Sequence, residues 1–451
     1  MTNRGWMLSC ACVLSVVAIT QLGCKKARSR AREEAPTTEK ASTVPGVSED
    51  KVKVAMTAVF SGPNAGWGTE YYRGSLAYFS EVNSKGGVHG RQIVIAPKDD
   101  GYDPPRAAEN VKQFLGENDT FAIYGAVGTK IVSDMVAPLM EREKDDWMQF
   151  GNHTGGQAFR DAPGMKQVFN VRPSYRQEAR TLVEALTASG HKKIAVFHQD
   201  DPYGKSGLDG VTRALTAMNL AVVATATHPV GQKFDVSMTE QVKKLRDAGA
   251  DAVICVVGYQ AGAGFVRDAR ESGWNAPIAN FSPVSDTFLR TLVAYEAKNK
   301  KTVTNHLLHS QVTPALDSDL PAVAEYRALM DKRNPQVPSE LQDANYRLNR
   351  YGFSSLEGFL AAKTFVEVLQ RTGPDLTRQK FHAAADALNG YDPGVGAQVS
   401  WNAQSHEGLN KVWTLGVKNG GFIGVANPAE YLATPTAATA KPAGTPATAH
   451  K

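Results

Sequence analysis

Cysteine is scarce in this chain: four residues in 451, with Cys10, Cys12 and Cys24 near the start and only Cys255 in the long remainder. That arithmetic leaves the body of the chain no intramolecular disulfide, and Cys255, inside the apolar run AVICVV, reads as a small core residue. The short motifs of common chemistries are missing too. Neither H-E-x-x-H nor G-x-S-x-G occurs, so a zinc-protease helix and a hydrolase nucleophile elbow are both excluded. The glycine-rich stretch SGPNAGWGTEYYRG, Ser61 to Gly74, lacks the Lys and the Ser or Thr that follow the last glycine of a phosphate loop. It fails as a dinucleotide fingerprint as well, because Tyr71 stands where a third glycine must admit close helix packing. Gly204-Lys205-Ser206 has Gln199 where a phosphate loop needs its first glycine. Nucleotide chemistry is therefore disfavoured.

Charge of one sign is not in large excess. The formal net charge is +5, and the basic cluster of Lys25, Lys26, Arg28, Arg30 and Arg32 sits in a terminal segment with no aromatics between its members, so no nucleic-acid partner is expected. The composition, 42% hydrophobic and 21% charged, is that of a folded soluble protein, and the length suggests two or three domain-sized units. The one long apolar stretch at the N-terminus, MLSCACVLSVVAI after Arg4, is shorter than the roughly 20 residues of a membrane span and has signal-peptide length. It ends at Gln21-Leu22-Gly23-Cys24, which resembles a bacterial lipobox with a small residue before the cysteine. The Leu usual three positions before that cysteine is Gln21 here, with Leu22 shifted by one. The expectation is a signal peptide over 1–23 and a lipid on Cys24, which would tie the exported protein to a bacterial membrane.

Residues 24–49, containing KKARSRAREEAPTTEKASTVPGVS, read as a flexible tether, and 431–451, mostly TPTAATAKPAGTPATAHK, as a low-complexity tail. Between them, β-rich runs alternate with helical patterns. VKVAMTAVF precedes a helix with Leu76, Phe79 and Val82 at three-residue spacing, stopped by Gly86-Gly87. RQIVIAP, a helix opened by Asp103-Pro104, FAIYG, a helix through Met135 and Leu139, and WMQFG follow. The pattern restarts with KKIAVFH, a helix from about Gly207, LAVVATAT, a helix with Met238, Val242 and Leu245, AVICVVG, a helix through Phe265 and Ala269, and APIANFS. Two such arrays predict an α/β protein with two doubly wound parallel sheets. Ligands of open α/β sheets bind at the carboxyl ends of the strands, so SGPNAGWG, KDDGYDP, GAVGTK, GNHTGG, HQDDPYGKS, GYQAG and NFSPVS become the loops of interest.

Two tempting pairs carry little. Asp99 and Asp100, being adjacent, point apart on an extended chain, and DD-x-x-DP more simply fixes a turn and the next helix start. His306 and His309 have the spacing of helical metal ligands, but NHLLHSQV reads as a strand that turns them to opposite faces. No metal, cofactor or catalytic group is expected.

In order along the chain, VKVAMTAVFSGPNAGWG, VNSKGGVHGRQIVI, KDDGYDPPRAAENV, GHKKIAVFHQDDPYGKSG, GADAVICVVGYQAGAGFVRDARESG, TPALDSDLPAVAEYRALM and GFLAAKTFVEVLQRTGPDLTRQKFHAAADAL resemble the type I periplasmic solute-binding proteins of the leucine/isoleucine/valine-binding kind. The match spans nearly all of 50–425. The resemblance implies two lobes joined by three hinge crossings near Asn170 to Ser174, His309 to Thr313 and Asp392 to Gly396. Lobe one would hold 50–171 and 311–390, and lobe two 172–310 and 391–430. It implies a non-enzyme that closes on a small branched-chain amino acid, amide or carboxylic acid and delivers it to ABC permease subunits; the alternatives are a sensor presenting the same closed form to a signalling receptor and an exported α/β enzyme. By position, Thr129 would hold a ligand carboxylate, Asn152 would offer a carbonyl and Thr154 a hydroxyl. Trp67, Tyr203, Tyr259 and Tyr351 would supply aromatic walls, and His153 would suit an anionic or polar ligand. The acidic residue that pairs with a ligand ammonium in amino-acid-binding members aligns with Ser282, leaving Asp286, Asp200 or Asp201 as substitutes. The cysteine that many members carry in the DD-x-x-DP loop is replaced by Gly101 or Tyr102.

Overall fold

Strand β1 (Lys51–Ala58) is buried along most of its length because it is central in a parallel sheet covered on both faces. The computed structural model describes residues 44–140, 146–160, 165–284 and 286–433, so the expected signal peptide, Cys24 and most of the tether and tail lie outside the described residues. After β1 the chain alternates as α1 (Ala65–Ser84), β2 (Gln92–Asp99), α2 (Pro104–Glu117), β3 (Ala122–Tyr124), α3 (Thr129–Met140), β4 (Gln149–Phe150) and β5 (Val168–Phe169). These strands form one sheet in the order β2-β1-β3-β4-β5, every pairing parallel.

The second array runs α4 (Tyr175–Ala188), β6 (Ile194–Gln199), α5 (Pro202–Thr216), β7 (Thr225–His228), α6 (Thr239–Asp247), β8 (Ala252–Val256), α7 (Tyr259–Glu271), β9 (Ile278–Asn280), α8 (Asp286–Asn299) and β10 (Leu307–Gln311). The chain then returns to the first sheet with α9 (Pro321–Arg333), α10 (Phe353–Thr372) and α11 (Arg378–Asp386), the first two packing on α1. It ends in β11 (Trp413–Lys418), β12 (Gly421–Gly424) and α12 (Pro428–Ala433). The second sheet has the order β12-β11-β10-β9-β8-β6-β7.

Two features differ from the sequence expectation. The second sheet is not wholly parallel: β11 runs antiparallel to both β10 and β12. Its hairpin turns on Asn419 and Gly420, with φ of 52° and 72°, and Asn-Gly is the pair that a tight primed turn favours. Only the end of LAVVATAT is strand, since β7 is the sheet's edge and Leu220 to Ala224 lies before it with partial exposure.

The chain passes between the sheets after β5, again after β10, and a third time just before β11. The sequence places that third passage at Asp392 to Gly396, and the structure moves it. Asp392 instead closes a turn, its carboxylate accepting the N–H groups of Gly394, Val395 and Gly396. Trp401 then packs on Phe150 and Phe169 of the first sheet, and the Leu409 N–H donates to the Val171 carbonyl at 2.8 Å. Residues 391–409 therefore stay with the first lobe, and the passage falls at about 410–412, beside the first crossing. Aspartate and two glycines look the same in a hinge and in a turn; the packing of Trp401 decides between them.

Candidate functional site

The glycine-rich stretch does not form an extended loop. α1 begins at Ala65, so Gly66, Trp67 and Gly68 lie in its first turn. The glycines serve here by lacking side chains: a Cβ on Gly68 would stand 2.2 Å from the Val59 carbonyl oxygen, and one on Gly66 would stand 2.6 Å from the Tyr346 ring. That close seating aims Trp67 at the second lobe. Its indole N–H donates to the Pro283 carbonyl at 2.8 Å, and its ring meets Tyr259 edge-on at 5.6 Å.

Thr129 is the first residue of α3, at the carboxyl end of β3, and Thr154 lies in the loop after β4. Their hydroxyl oxygens are 2.8 Å apart, both side chains are buried, and the Gly156 N–H donates to the Thr154 hydroxyl. The Thr129 hydroxyl also lies within hydrogen-bonding reach of the Tyr175 side chain, and the N–H groups at the start of α3 stand beside the pair. That end of the site suits a carboxylate.

Trp67, Tyr102, His153, Tyr175, Tyr203 and Pro283, with Val127 and Gly128, line a narrow cavity of about 10 Å³, drawn in to roughly the room of one water molecule. Both lobes contribute: Tyr203 comes from the first turn of α5, while Tyr102 comes from the loop before α2. Tyr102 takes φ of 62°, held by the Asp100 carboxylate, which accepts its N–H at 2.9 Å. Burial pushes the Asp100 carboxyl up to about 7. Thus the DD-x-x-DP aspartates do shape a turn, and the turn delivers a wall residue. Tyr102 and Tyr175 were not legible as site residues. Tyr102 looked like a mere replacement for cysteine, and Tyr175 is the first residue of α4, where helix capping by Ser174 is the visible signal.

Ser282 sits in a charged knot beside the cavity. The Glu178 carboxylate accepts the Ser282 N–H at 2.8 Å, its hydroxyl at 3.0 Å and the Ser310 hydroxyl at 2.7 Å. The Arg172 guanidinium donates to Glu178 at 2.9 Å and to the Ser282 hydroxyl, and reaches Glu357 at 3.4 Å. Burial works against the Arg172 charge, yet Glu357 and Glu178 hold its pKa above the ordinary arginine value. Burial pushes the Glu357 carboxyl up to about 7 against the pull of Arg172. His153 Nε2 lies 3.5 Å from Glu357, and burial, with Arg172 nearby, holds the imidazole well below its usual pKa and therefore neutral at pH 7.

The remaining expected residues divide. Tyr259 backs Trp67 and lines a wider groove at the mouth rather than the cavity. The Asn152 carbonyl accepts the Thr154 N–H at 2.9 Å and its amide donates to Gln149, so it braces the loop that carries Thr154. Tyr351 is not brought to the cavity: its hydroxyl donates to Asp331 of α9. His306 precedes β10, whereas His309 is buried within it against Phe288 and Phe422, its pKa pushed down to about 3 by burial. Among the described residues no cluster of three or more His, Cys, Asp or Glu could hold a metal ion, and no helix is long and apolar enough to cross a membrane.

A family model described as periplasmic binding protein matches residues 51–421. The chain is similar to the Leu/Ile/Val-binding protein homolog 7 of Brucella abortus (strain 2308), with 25% identity over 365 residues that cover 76% of this chain and 82% of the relative. Among solved structures it is similar to a possible leucine/isoleucine/valine-binding protein from Rhodopirellula baltica SH 1, with 26% identity, a TM-score of 0.74, and coverage of 87% of this chain and 100% of that one. A solute-binding protein of R. palustris in complex with 4-hydroxybenzoate shares the fold at a TM-score of 0.67 and 17% identity, over 83% of this chain and 96% of that one.

Proposed function

The chain belongs to the periplasmic binding protein family, and from that premise we propose that it is the extracytoplasmic receptor of an ABC importer, capturing a small carboxylate-bearing molecule between its lobes. The observation that supports the proposal is the convergence of Gly128 and His153 from lobe one with Tyr203 and Pro283 from lobe two around one small cavity, with Thr129 and Thr154 next in the chain to the first two and hydrogen-bonded to each other. A molecule first held at the threonine end gains its contacts with Tyr203 only when lobe two swings in. The hydrogen bond from Trp67 to Pro283 forms in the same movement, so ligand and closure support each other. Permease subunits then read the closed form, and a lipid on Cys24 keeps the receptor at the membrane surface.

Names of relatives point to branched-chain amino acids, and the neighbour holding 4-hydroxybenzoate points to an aromatic acid. A carboxylate is common to both. The reading is of a binder rather than an enzyme: the cavity offers hydroxyls, aromatic rings and a neutral imidazole, an arrangement for holding a molecule rather than cleaving one.

Thermal unfolding of the purified chain in the presence of aliphatic and aromatic carboxylates, amino acids and short amides tests the proposal. A ligand that binds only the folded state raises the Tm in proportion to the logarithm of its concentration. Stabilisation by amides but by no carboxylate would overturn the carboxylate assignment, and chemical turnover of a stabilising ligand would overturn the binder reading.

A further inference from the structure

Outside the cavity, at the mouth between the lobes, lies a groove of about 1070 Å³. It shares no lining residue with the cavity, and Tyr259 of the groove meets Trp67 of the cavity edge-on. Lobe one contributes Gly62 and Pro63 before α1, and Asp343, Asn345, Tyr346 and Arg347 in the connection between α9 and α10. Lobe two contributes Lys233 and Asp235 from the loop before α6, and one face of α8 on which Thr287, Arg290, Thr291, Ala294 and Lys298 recur at helical spacing. The opposite face of α8, through Phe288, Leu289 and Leu292, is buried in the lobe, so the polar face is the one left to solvent.

The charges of this groove are unbalanced. Lys233, Arg267, Arg290, Lys298 and Arg347 line it against two acids, Asp235 and Asp343. Two of the cations are engaged within the protein: Arg267 pairs with Asp268 and donates to the carbonyls of Phe234 and Val236, and Arg290 donates to the Asn349 side chain. One of the acids is engaged too, since Asp343 accepts the Gly62 and Asn345 N–H groups, each at 2.7 Å. Lys233, Lys298 and Arg347 are exposed, and among the described residues none of the three has a carboxylate partner. Asp235, exposed on the same loop as Lys233, is the one acid of the lining left to oppose them. Free positive charge therefore faces the groove from both lobes.

Charges this exposed hold a lone small anion weakly, because water and salt screen each pair. A chain segment bearing several carboxylates meets them together, and its attractions add. A bilayer surface suits them less, since the cations stand on the walls of a concavity. We propose that this groove docks an extended acidic segment of a partner protein, which bridges Arg347 of lobe one and Lys233 and Lys298 of lobe two. The inference uses the lobes as they stand in this structure and is independent of what the cavity holds. Fluorescence anisotropy of labelled hexaglutamate on the full purified chain, in about 50 mM salt, tests it. Hexaglutamate should bind about tenfold or more tightly than hexaglutamine. K233E/K298E and R347E should each weaken it about tenfold, while K192E/K193E and K112E, matched changes at exposed lysines outside the groove, should alter it less than about twofold. Equal weakening by the matched controls overturns the groove as the site, and loss in only one of the two groove variants overturns the bridge between lobes. Failure of hexaglutamate to bind, with phosphatidylserine vesicles binding the chain and released by the groove variants, assigns these cations to a membrane and overturns the acidic partner, as does binding of neither probe.

Discussion

The Thr129 and Thr154 hydroxyls owe their role to position more than to identity. A threonine at the start of a helix is usually a capping residue, and here the same geometry leaves its hydroxyl facing a buried partner across the loop after β4. Thr129→Val removes that oxygen with little change of volume, so binding of a carboxylate ligand should weaken by about 1–3 kcal/mol, roughly 5- to 150-fold, measured by calorimetric titration. Unchanged affinity would separate Thr129 from the ligand. The loops that carry these two threonines were legible because loops at strand carboxyl ends can be found from the alternation of elements. Tyr351 was expected on the resemblance alone, as a weaker match, and its hydroxyl instead donates to Asp331. Aromatic residues satisfy a core, a helix surface and a cleft wall alike, so their side-chain direction has to be seen.

At the scale of elements, α1 organises the first lobe. Its closeness to α10 requires glycine: a Cβ on Gly74 would lie 1.7 Å from the Ser355 carbonyl oxygen, and one on Gly358 would lie 2.1 Å from that of Tyr71. One turn before Gly74, Glu70 and Arg73 form a buried ion pair at 2.7 Å that staples the long connection between α9 and α10. Glu70 accepts the Asn349 N–H at 2.9 Å and the Tyr346 hydroxyl, while Arg73 donates to the carbonyls of Pro335 and Asn349. Arg73→Met leaves the carboxylate without its cation, and the loss should be about 3–5 kcal/mol, read as a lower urea midpoint. The double variant Glu70→Gln with Arg73→Met should recover part of it, because no unpaired charge remains. Additive losses in the two single variants and the double would mean that the pair is not coupled. The i, i+3 spacing of these residues fits an ordinary surface pair, and their burial under a connection of about 19 residues could not be read from spacing.

The whole molecule is held closed by contacts away from the cavity. Arg290 of α8 donates to the Asn349 side chain of lobe one, Asp286 accepts the Phe353 N–H at the start of α10, and the Gln260 amide reaches the Pro63 carbonyl at 3.4 Å. Arg290→Ala should therefore weaken ligand binding by about 1.5 kcal/mol, roughly tenfold, mainly through faster release, although Arg290 does not line the cavity. Stopped-flow dissociation would show it, and an unchanged release rate would argue against this latch. Closure also carries a pH signature. Burial raises the Asp100 carboxyl from its ordinary 3.8 to about 7, and Asp286 to about 6. Between about pH 4 and pH 7 the folded chain keeps protons that the unfolded chain releases, so these two groups make stability fall as pH rises through that window. Asp100→Asn, which has no proton to lose, should flatten the decline of Tm between pH 5 and pH 7.5. An unaltered slope would show that Asp100 does not retain its proton.

By itself the sequence determined the alternation of strands and helices, the doubling of that pattern, and the loops that must gather at the strand ends. Each of these follows from short-range physics: periodicity of apolar residues, helix stops and turn chemistry. It also carried the family resemblance. Only the tertiary structure decided that the third crossing lies beyond Trp401, that Tyr102 and Tyr175 wall the cavity while Tyr351 does not, and that Arg172 stands against Ser282. Those outcomes depend on residues far apart in the chain: Arg172, Glu178, Ser282, Ser310 and Glu357 meet across both sheets. A charge exposes its partner only when folding removes the water between them, and spacing along a chain holds no record of that.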